Sequence, residues 1–530
     1  MFRANRARGE GFPASQEVSQ TTSISVESLL ALSLCAIVIL ASMAFLRRSS
    51  DYSRVLVELQ LDTLPSRPRK PRAQGALTVT ESQPDLVILV SLDALRADHL
   101  GPYGYARETA PRLRRLGEEG VVFRTVCAQS SQTLTSHKSM FTGKYPATLM
   151  LEETGADLLE LSSLADPGAY LSATFSGVEG RLAAGFRAHG FRTAGFTDGS
   201  WTGRKAGFEP GFGVFDDTGG GLAAVLTRTL AWLESNAASP AFVFVHARDL
   251  ACPYAAPEAF ERAFCSDHAG HAPLGVRCGT RAPLELSSAD LSTLSDHYDA
   301  AVLSADDQLG RFFDELRARG LYERALIAVT SAHGESLGER GIVGHGGLYL
   351  EQLLVPLVLK FPQAWNLQPT TIAESVELVD LLPTLFALCA IPIEKDMDGR
   401  SLLPILRGVR GRDYLVAQSS FEEAPELFSS PVKRTLLRPG RWQVIQDSAH
   451  AQASFFALDE DPRALSARPI AAEEFSALLD VLLGRARPDA RAALRTPAAA
   501  RFGAELEHEL EQLGYGAALH PGQSAPSDLR

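Results

Sequence analysis

Several residues able to do chemistry stand where apolar runs of this sequence give way to polar ones. The run "DLVILVSLD" (85–93) ends in Asp93, "AFVFVHARD" (241–249) in Asp249, and "RALIAVTSAHG" (324–334) in Ser331-Ala332-His333. Carboxylate oxygens and imidazole nitrogens are ligands for divalent cations, and a hydroxyl beside such a cation can be activated as a nucleophile. Thr133 offers that hydroxyl within Thr-x-Thr-x-His, together with His137, and "VGHGG" (343–347) adds His345. Each residue also has a plainer reading. Asp93 suits the cap of a helix starting near Leu95, Thr133 the cap of a helix starting near Ser136, and His333 a hydrogen-bonded loop. Gathered at one sheet edge, Asp93 and His333 become a candidate cation site.

The elements that would gather them follow from the apolar pattern. Runs of strand length without alternation, including "VPLVLKFP" (355–362), suggest strands buried on both faces. Helical patterns separate them. The longest covers 289–319 and places Leu291, Leu294, Tyr298, Val302, Ala305, Leu309, Phe312 and Leu316 on one face, opposite Asp290, Asp299, Asp307 and Arg311. Strands alternating with such helices predict a mostly parallel sheet with helices on both sides. In that architecture ligands bind beyond the carboxyl ends of the strands, where the polar run-ends lie.

The net charge of −12 argues against a nucleic-acid or polyanion partner. Leu29–Leu46 holds 18 residues without a charge, which as a helix reaches about 27 Å and suits a bilayer anchor. A cleaved signal peptide and a buried core helix are the alternatives. Arginines flank it on both sides, Arg3, Arg6 and Arg8 before and Arg47, Arg48 and Arg54 after, so charge alone does not put the following domain outside the cytoplasm. The resulting organisation is a tail (1–28), a membrane anchor (29–46), a Pro- and Arg-rich linker (47–84), an α/β domain (85–411) and a C-terminal subdomain with tail (412–530). Cys252, Cys265 and Cys278 sit in one loop-rich insertion whose spacing matches no zinc motif.

The segments "LVILVSLDALRADHLGPYGYARETAPRLRRLGEEGVVF" (86–123), "TLTSHKSMFTGKYP" (133–146), "FVHARDLACPYAAP" (244–257) and "ALIAVTSAHGESLGERGIVGHG" (325–346) resemble sulfatases of the alkaline-phosphatase superfamily, in order along the chain. The resemblance implies a large α/β sandwich followed by a smaller antiparallel sheet with a helix. It also implies a divalent cation, calcium by family, held in part by Asp93 and His333. Thr133 falls at the nucleophile position, His137 replaces the basic arginine that follows it, and His345 keeps a later basic residue. Glu335 belongs to the surrounding Gly-Glu signature as a structural hydrogen-bonding group.

This sequence departs from the pattern at four places. Ala94 stands where the second aspartate is expected, Ala332 where an aspartate precedes the histidine, and Ala251 where His-x-Pro-Tyr has its histidine. Thr133 cannot become formylglycine, because it has no thiol and lacks the proline and arginine of that motif. Loss of carboxylates predicts weak calcium binding. The expectation is therefore a membrane-anchored protein facing the periplasm or exterior, as exported relatives imply. A disulfide between two of the three insertion cysteines would fit that compartment. The protein is then either an ester hydrolase or transferase using Asp93, Thr133 and His333, or an inactive relative that binds a sulfated or phosphorylated glycan, lipid or protein.

Overall fold

The computed structural model describes residues 83–146, 149, 181–236, 238–265, 284–419, 433–447 and 452–470. The anchor candidate Leu29–Leu46 lies outside them, and no helix among the described residues is long and apolar enough to cross a membrane.

The first apolar run forms strand β1 (Leu86–Leu92), and all seven of its residues are buried. Its side chains alternate between two cores: Val87 and Leu89 join one, while Leu86, Ile88, Val90 and Leu92 join the other. Burial on both faces explains the unbroken apolar pattern. The strands that follow are β2 (Val121–Cys127), β3 (Arg192–Thr197), β4 (Val214–Asp216), β5 (Ala241–Ala247) and β6 (Ala325–Thr330). A short hairpin β7 (Ser336–Leu337) and β8 (Val343–Gly344) precedes β9 (Leu357–Lys360) and β10 (Thr370–Glu377). Eight of these build one sheet in the order β10-β2-β9-β6-β1-β5-β3-β4. It is parallel except at β9, which runs against both β2 and β6. The sequence marked β9 as a buried strand, but an apolar run carries no direction.

The long helix spans Ser288–Ala318 and opens with a capping box between Ser287 and Asp290. Leu294, Tyr298, Val302, Ala305, Leu309, Phe312 and Leu316 pack into the second core as the periodicity predicts. Asp299 does not follow the pattern. Expected on the solvent face, it is buried, with Arg107 at 2.8 Å, the Tyr105 hydroxyl at 2.7 Å and His99 at 2.7 Å. The loop after β1 folds over that helix and covers the carboxylate.

A separate antiparallel sheet follows, β11 (Leu415–Ser419) through β12 (Lys433–Arg438), β13 (Trp442–Asp447), β14 (Gln452–Ala457) and β15 (Arg468–Ile470), in sequential order. Leu415, Ala417, Leu437 and Phe456 pack there with Leu348 and Leu353 of the first sheet's connections.

Register positions the site. β1 pairs with β5 up to Leu92 opposite Ala247, and with β6 up to Ser91 opposite Thr330. Three adjacent parallel strands therefore end together, and the residues just beyond them are Asp93, Arg248 and Ser331.

Candidate functional site at the carboxyl edge of the sheet

Asp93 leaves β1 with its amide held by the carbonyl of Ala247 at 3.0 Å. Its carboxylate is 1% exposed. Oδ2 accepts a hydrogen bond from the Thr133 hydroxyl at 2.7 Å and lies 3.1 Å from Nε2 of His246. Oδ1 is buried with no hydrogen-bond partner. No helix begins at Leu95, so Asp93 is not a cap; a short 3-10 turn comes later, at Ala97–His99. Burial opposes ionisation of Asp93, but the imidazoles of His246, His333 and His137 around it reverse that and hold the carboxyl well below its usual range. Ala94 has φ 64°, a left-handed backbone in which alanine is strained and asparagine or aspartate more at ease.

Thr133 is the first residue of the helix Thr133–Thr142, whose N-cap is Gln132. The helix starts three residues earlier than the sequence suggested, and Thr133 caps nothing. Its oxygen instead lies between Asp93 and Nε2 of His333, the latter at 3.1 Å. His333 Nδ1 is 2.9 Å from the carbonyl of Gly334. A carbonyl only accepts, so Nδ1 carries the hydrogen and Nε2 presents a lone pair to Thr133 and, at 4.0 Å, to Asp93. Burial and the neighbouring His345 pull His333 down to about 3, so it is neutral at physiological pH.

His137 does not supply the cation expected of its position. Nδ1 faces the Thr133 carbonyl at 2.8 Å and Nε2 the Ser91 hydroxyl at 2.9 Å, and burial together with His246 lowers its pKa to about 4. Both nitrogens are occupied, and the neutral ring ties the helix to β1. His345 reaches the site from β8. Its Nδ1 is 3.1 Å from Oε2 of the buried Glu335, and its ring lies 4.2 Å from that of His333. Ala332 is fully buried, and its carbonyl accepts the Ser136 hydroxyl at 2.6 Å.

These groups open onto a cavity of about 400 Å³ whose wall includes Asp198, Trp201, Arg248, Asp249 and Ala251. Asp249 serves as a helix cap: it accepts the Leu222 amide at 2.9 Å, while Asp198 accepts that of Gly221 at 3.0 Å, together capping Gly221–Asn236. Burial raises the Asp249 pKa. Cys252 on the same wall is disulfide-bonded, whereas Cys265 keeps a free thiol.

His246 was not singled out in the sequence. It sits inside the apolar β5 run, opposite Ser91, and the only signal was a histidine one residue before the strand's end. Among the described residues, two groupings have the closeness a metal ion requires, Asp93 with His137 and His246, and His333 with Glu335 and His345. Since both nitrogens of His137 are hydrogen-bonded, the first reduces to Asp93 and His246, with His333 across Thr133. An orphaned buried carboxylate oxygen facing imidazole nitrogens fits a divalent cation.

Residues 85–391 match the family described as Sulfatase. Among curated proteins, the chain is 32% identical over 130 residues to the multifunctional alkaline phosphatase superfamily protein PehA of Trinickia caryophylli, covering 24% of this chain and 25% of that protein. It is 33% identical over 109 residues to an N-acetylglucosamine-6-O-sulfatase of Bacteroides thetaiotaomicron, covering 21% and 19%. The matches thus span a quarter or less of these relatives' lengths. Among solved structures, the phosphonate monoester hydrolase of Agrobacterium radiobacter superposes with TM-score 0.59 at 19% identity, over 77% of this chain and 95% of that one. A protein in complex with its substrate D-glucosamine-2-N,6-O-disulfate gives TM-score 0.59 at 17% identity, over 77% and 98%.

Proposed function

Given that the chain belongs to the sulfatase family of the alkaline-phosphatase superfamily, we propose that it is a hydrolase or transferase of phosphoric or sulfuric esters whose nucleophile is unmodified Thr133. One observation carries this reading: the Thr133 hydroxyl lies 2.7 Å from Asp93 and 3.1 Å from His333 at a cavity floor. An alcohol within reach of an oriented, unprotonated imidazole is the arrangement of an activated nucleophile. At rest the Thr133 hydrogen goes to Asp93; as the oxygen attacks phosphorus or sulfur, the hydroxyl turns and its proton passes to Nε2 of His333, which the Gly334 carbonyl keeps in the accepting tautomer. His345, oriented by buried Glu335, is the group placed to protonate the departing oxygen, since Ala251 offers nothing there. A divalent cation held by Asp93 and His246 would stabilise the charge developing on the ester's oxygens.

A second reading, an inactive relative that binds a sulfated or phosphorylated ligand, rests on Ala94, Ala251 and Ala332 standing where the family pattern has reactive or ligating side chains. Among the described residues Arg248 is the one arginine or lysine lining the cavity, against Asp93, Asp198 and Asp249, so in either reading an anionic ester needs a bound cation to offset net repulsion. Aryl phosphate, aryl phosphodiester and aryl sulfate turnover with added divalent metals separates the two. We expect turnover that Thr133→Ala lowers roughly 10²–10⁴-fold. No turnover with any metal, alongside retained binding of such an ester, favours the second.

For the whole chain we propose a tether at Leu29–Leu46 with the catalytic part outside the cytoplasm. The disulfide at Cys252 and the printed name of a Drosophila melanogaster relative, an extracellular sulfatase homolog, support that side. Protease added to intact cells should then degrade residues 85–530; cleavage only in inverted vesicles places them in the cytoplasm.

A further inference from the structure

His345 and Glu335, assigned above to protonate the departing oxygen, stand on opposite arms of one small hairpin. β7 and β8 pair Ser336 with Gly344 and Leu337 with Val343, so the next position in register sets Glu335 against His345. The turn between them carries positive φ at Gly338, Arg340 and Gly341, 103°, 54° and 75°. A two-stranded ribbon of this length is not stable in isolation. Its place beside the cavity is therefore set from outside.

Arg96 supplies a tie to the nucleophile's side. It is 4% exposed and belongs to the loop that Asp93 begins. Its Nη1 donates to the Glu335 carbonyl and to Oε1 of Glu339 in the turn, both at 2.9 Å. Nε and Nη2 grip Asp98 at 2.9 and 2.8 Å. The Arg96 amide donates to the Tyr298 hydroxyl at 2.8 Å, which donates in turn to the Ala94 carbonyl at 2.6 Å. Glu339 also accepts the Leu337 amide at 2.6 Å, so the guanidinium holds both an arm and the turn. Other anchors of the hairpin, the Glu351 carbonyl bound by the Glu335 amide and the Ala464 carbonyl bound by Arg340, come from distant segments. Among these contacts Arg96 alone joins the hairpin to the loop of Asp93, whose carboxylate holds the Thr133 hydroxyl. A planar guanidinium with donors in fixed directions suits that task, and a lysine does not.

We propose that Arg96 is a positioning residue that sets His345 against the departing oxygen, a role that rests on the assignment of Thr133 and His345 above. As the P–O or S–O bond to the alcohol breaks, its electron pair stays on the departing oxygen, which takes the His345 proton. A displacement of about 1 Å costs such a transfer up to about 10²-fold. A para-nitrophenolate leaves without that proton, whereas a phenolate needs it. The test therefore compares kcat/KM of the full-length chain for the para-nitrophenyl and phenyl forms of whichever ester the wild type hydrolyses. Arg96→Met should lower it at least about 30-fold for the phenyl form and less than about threefold for the para-nitrophenyl form. It should add little once His345→Ala is present. Glu339→Gln should show the same preference at smaller size, and decides the matter should Arg96→Met not fold. Equal losses for the two esters, or an undiminished loss in the His345→Ala background, overturn the proposal and leave the Thr133 reading standing. Absence of turnover with every ester contradicts the Thr133 reading alone, and amide hydrogen exchange then decides for Arg96. Exchange across 335–345 at least about tenfold faster in Arg96→Met, with the helix Ser288–Ala318 unchanged, supports the proposal; unchanged exchange in the hairpin overturns it.

Discussion

Two cavities of similar size lie at opposite edges of the same sheet, and only one has the makings of a reaction centre. The carboxyl-edge cavity holds about 400 Å³ and the amino-edge cavity, between Val121, Glu323 and Lys360, about 480 Å³. Both are lined with charged residues. At the amino edge those charges satisfy one another: the Tyr322 hydroxyl donates to Glu119 at 2.5 Å, Arg317 lies 3.7 Å over the Tyr322 ring, and Lys360 donates to the carbonyls of Tyr322 and Ala325. At the carboxyl edge Asp93 Oδ1, His246 Nε2 and Glu335 Oε1 are buried without hydrogen-bond partners, whereas none of the amino-edge lining residues has such an atom. Cavity volume does not distinguish the two. The clustering of three buried, unpartnered polar atoms beside one cavity does.

The contrast breaks most sharply with Asp93→Ala. It should abolish ester turnover, by at least roughly 10³-fold, and also lower stability in chelator at neutral pH, since the surrounding imidazoles and the Thr133 hydroxyl favour the ionised carboxylate. Tyr322→Phe at the other edge should leave turnover unchanged and cost about 1 kcal/mol in denaturant unfolding. The reverse outcome would exchange the roles of the two cavities.

Lys360 sharpens the contrast through pH. Burial lowers its pKa from 10.5 to about 8, partly opposed by Glu323 and Glu119. Between those values the unfolded chain binds the proton that the folded one has released, so this group's contribution to stability rises with pH. It is fully present above 10.5 and lost as pH falls through about 8, by roughly 3 kcal/mol in total. Stability of wild type relative to Lys360→Met, measured by urea unfolding from pH 7.5 to 10.5, should increase by about that amount; a flat difference means the lysine is not buried as a charge.

Smaller effects probe the alanines. Ala332→Asp should add a carboxylate beside His333 and raise calcium affinity at least about tenfold, about 1.4 kcal/mol, by calorimetric titration. Unchanged affinity would mean that position 332 does not face the cation. Ala94→Gly should relieve the left-handed strain and raise stability by up to about 1 kcal/mol; a loss of stability would show that the methyl's burial outweighs the strain.

Much of this was legible in the sequence because a buried parallel strand writes itself as an unbroken apolar run, and its end marks the edge where ligands bind. Asp93 and His333 were found that way. His246 was not, because it lies within its run and faces Ser91 and His137, contacts that only the register creates. Asp249 had the same signal as Asp93 yet became a helix cap, since the Gly221 and Leu222 amides reach that end of β5 through a distant connection. His137 looked like a replacement cation. Its helix begins at Thr133, which turns the ring toward Ser91 and leaves it neutral. Asp299 looked exposed because periodicity describes the helix alone and not the loop that folds over it.

The central claim is that Thr133 is the nucleophile. Mass spectrometry of the peptide containing Thr133, from enzyme acid-quenched during turnover of an aryl phosphate or sulfate, tests it most directly. An unmodified threonine at rest and a phosphoryl or sulfuryl group on Thr133 during turnover is the predicted result. An aldehyde or its hydrate at position 133, or turnover that continues with the group transferred to a different residue, would contradict it.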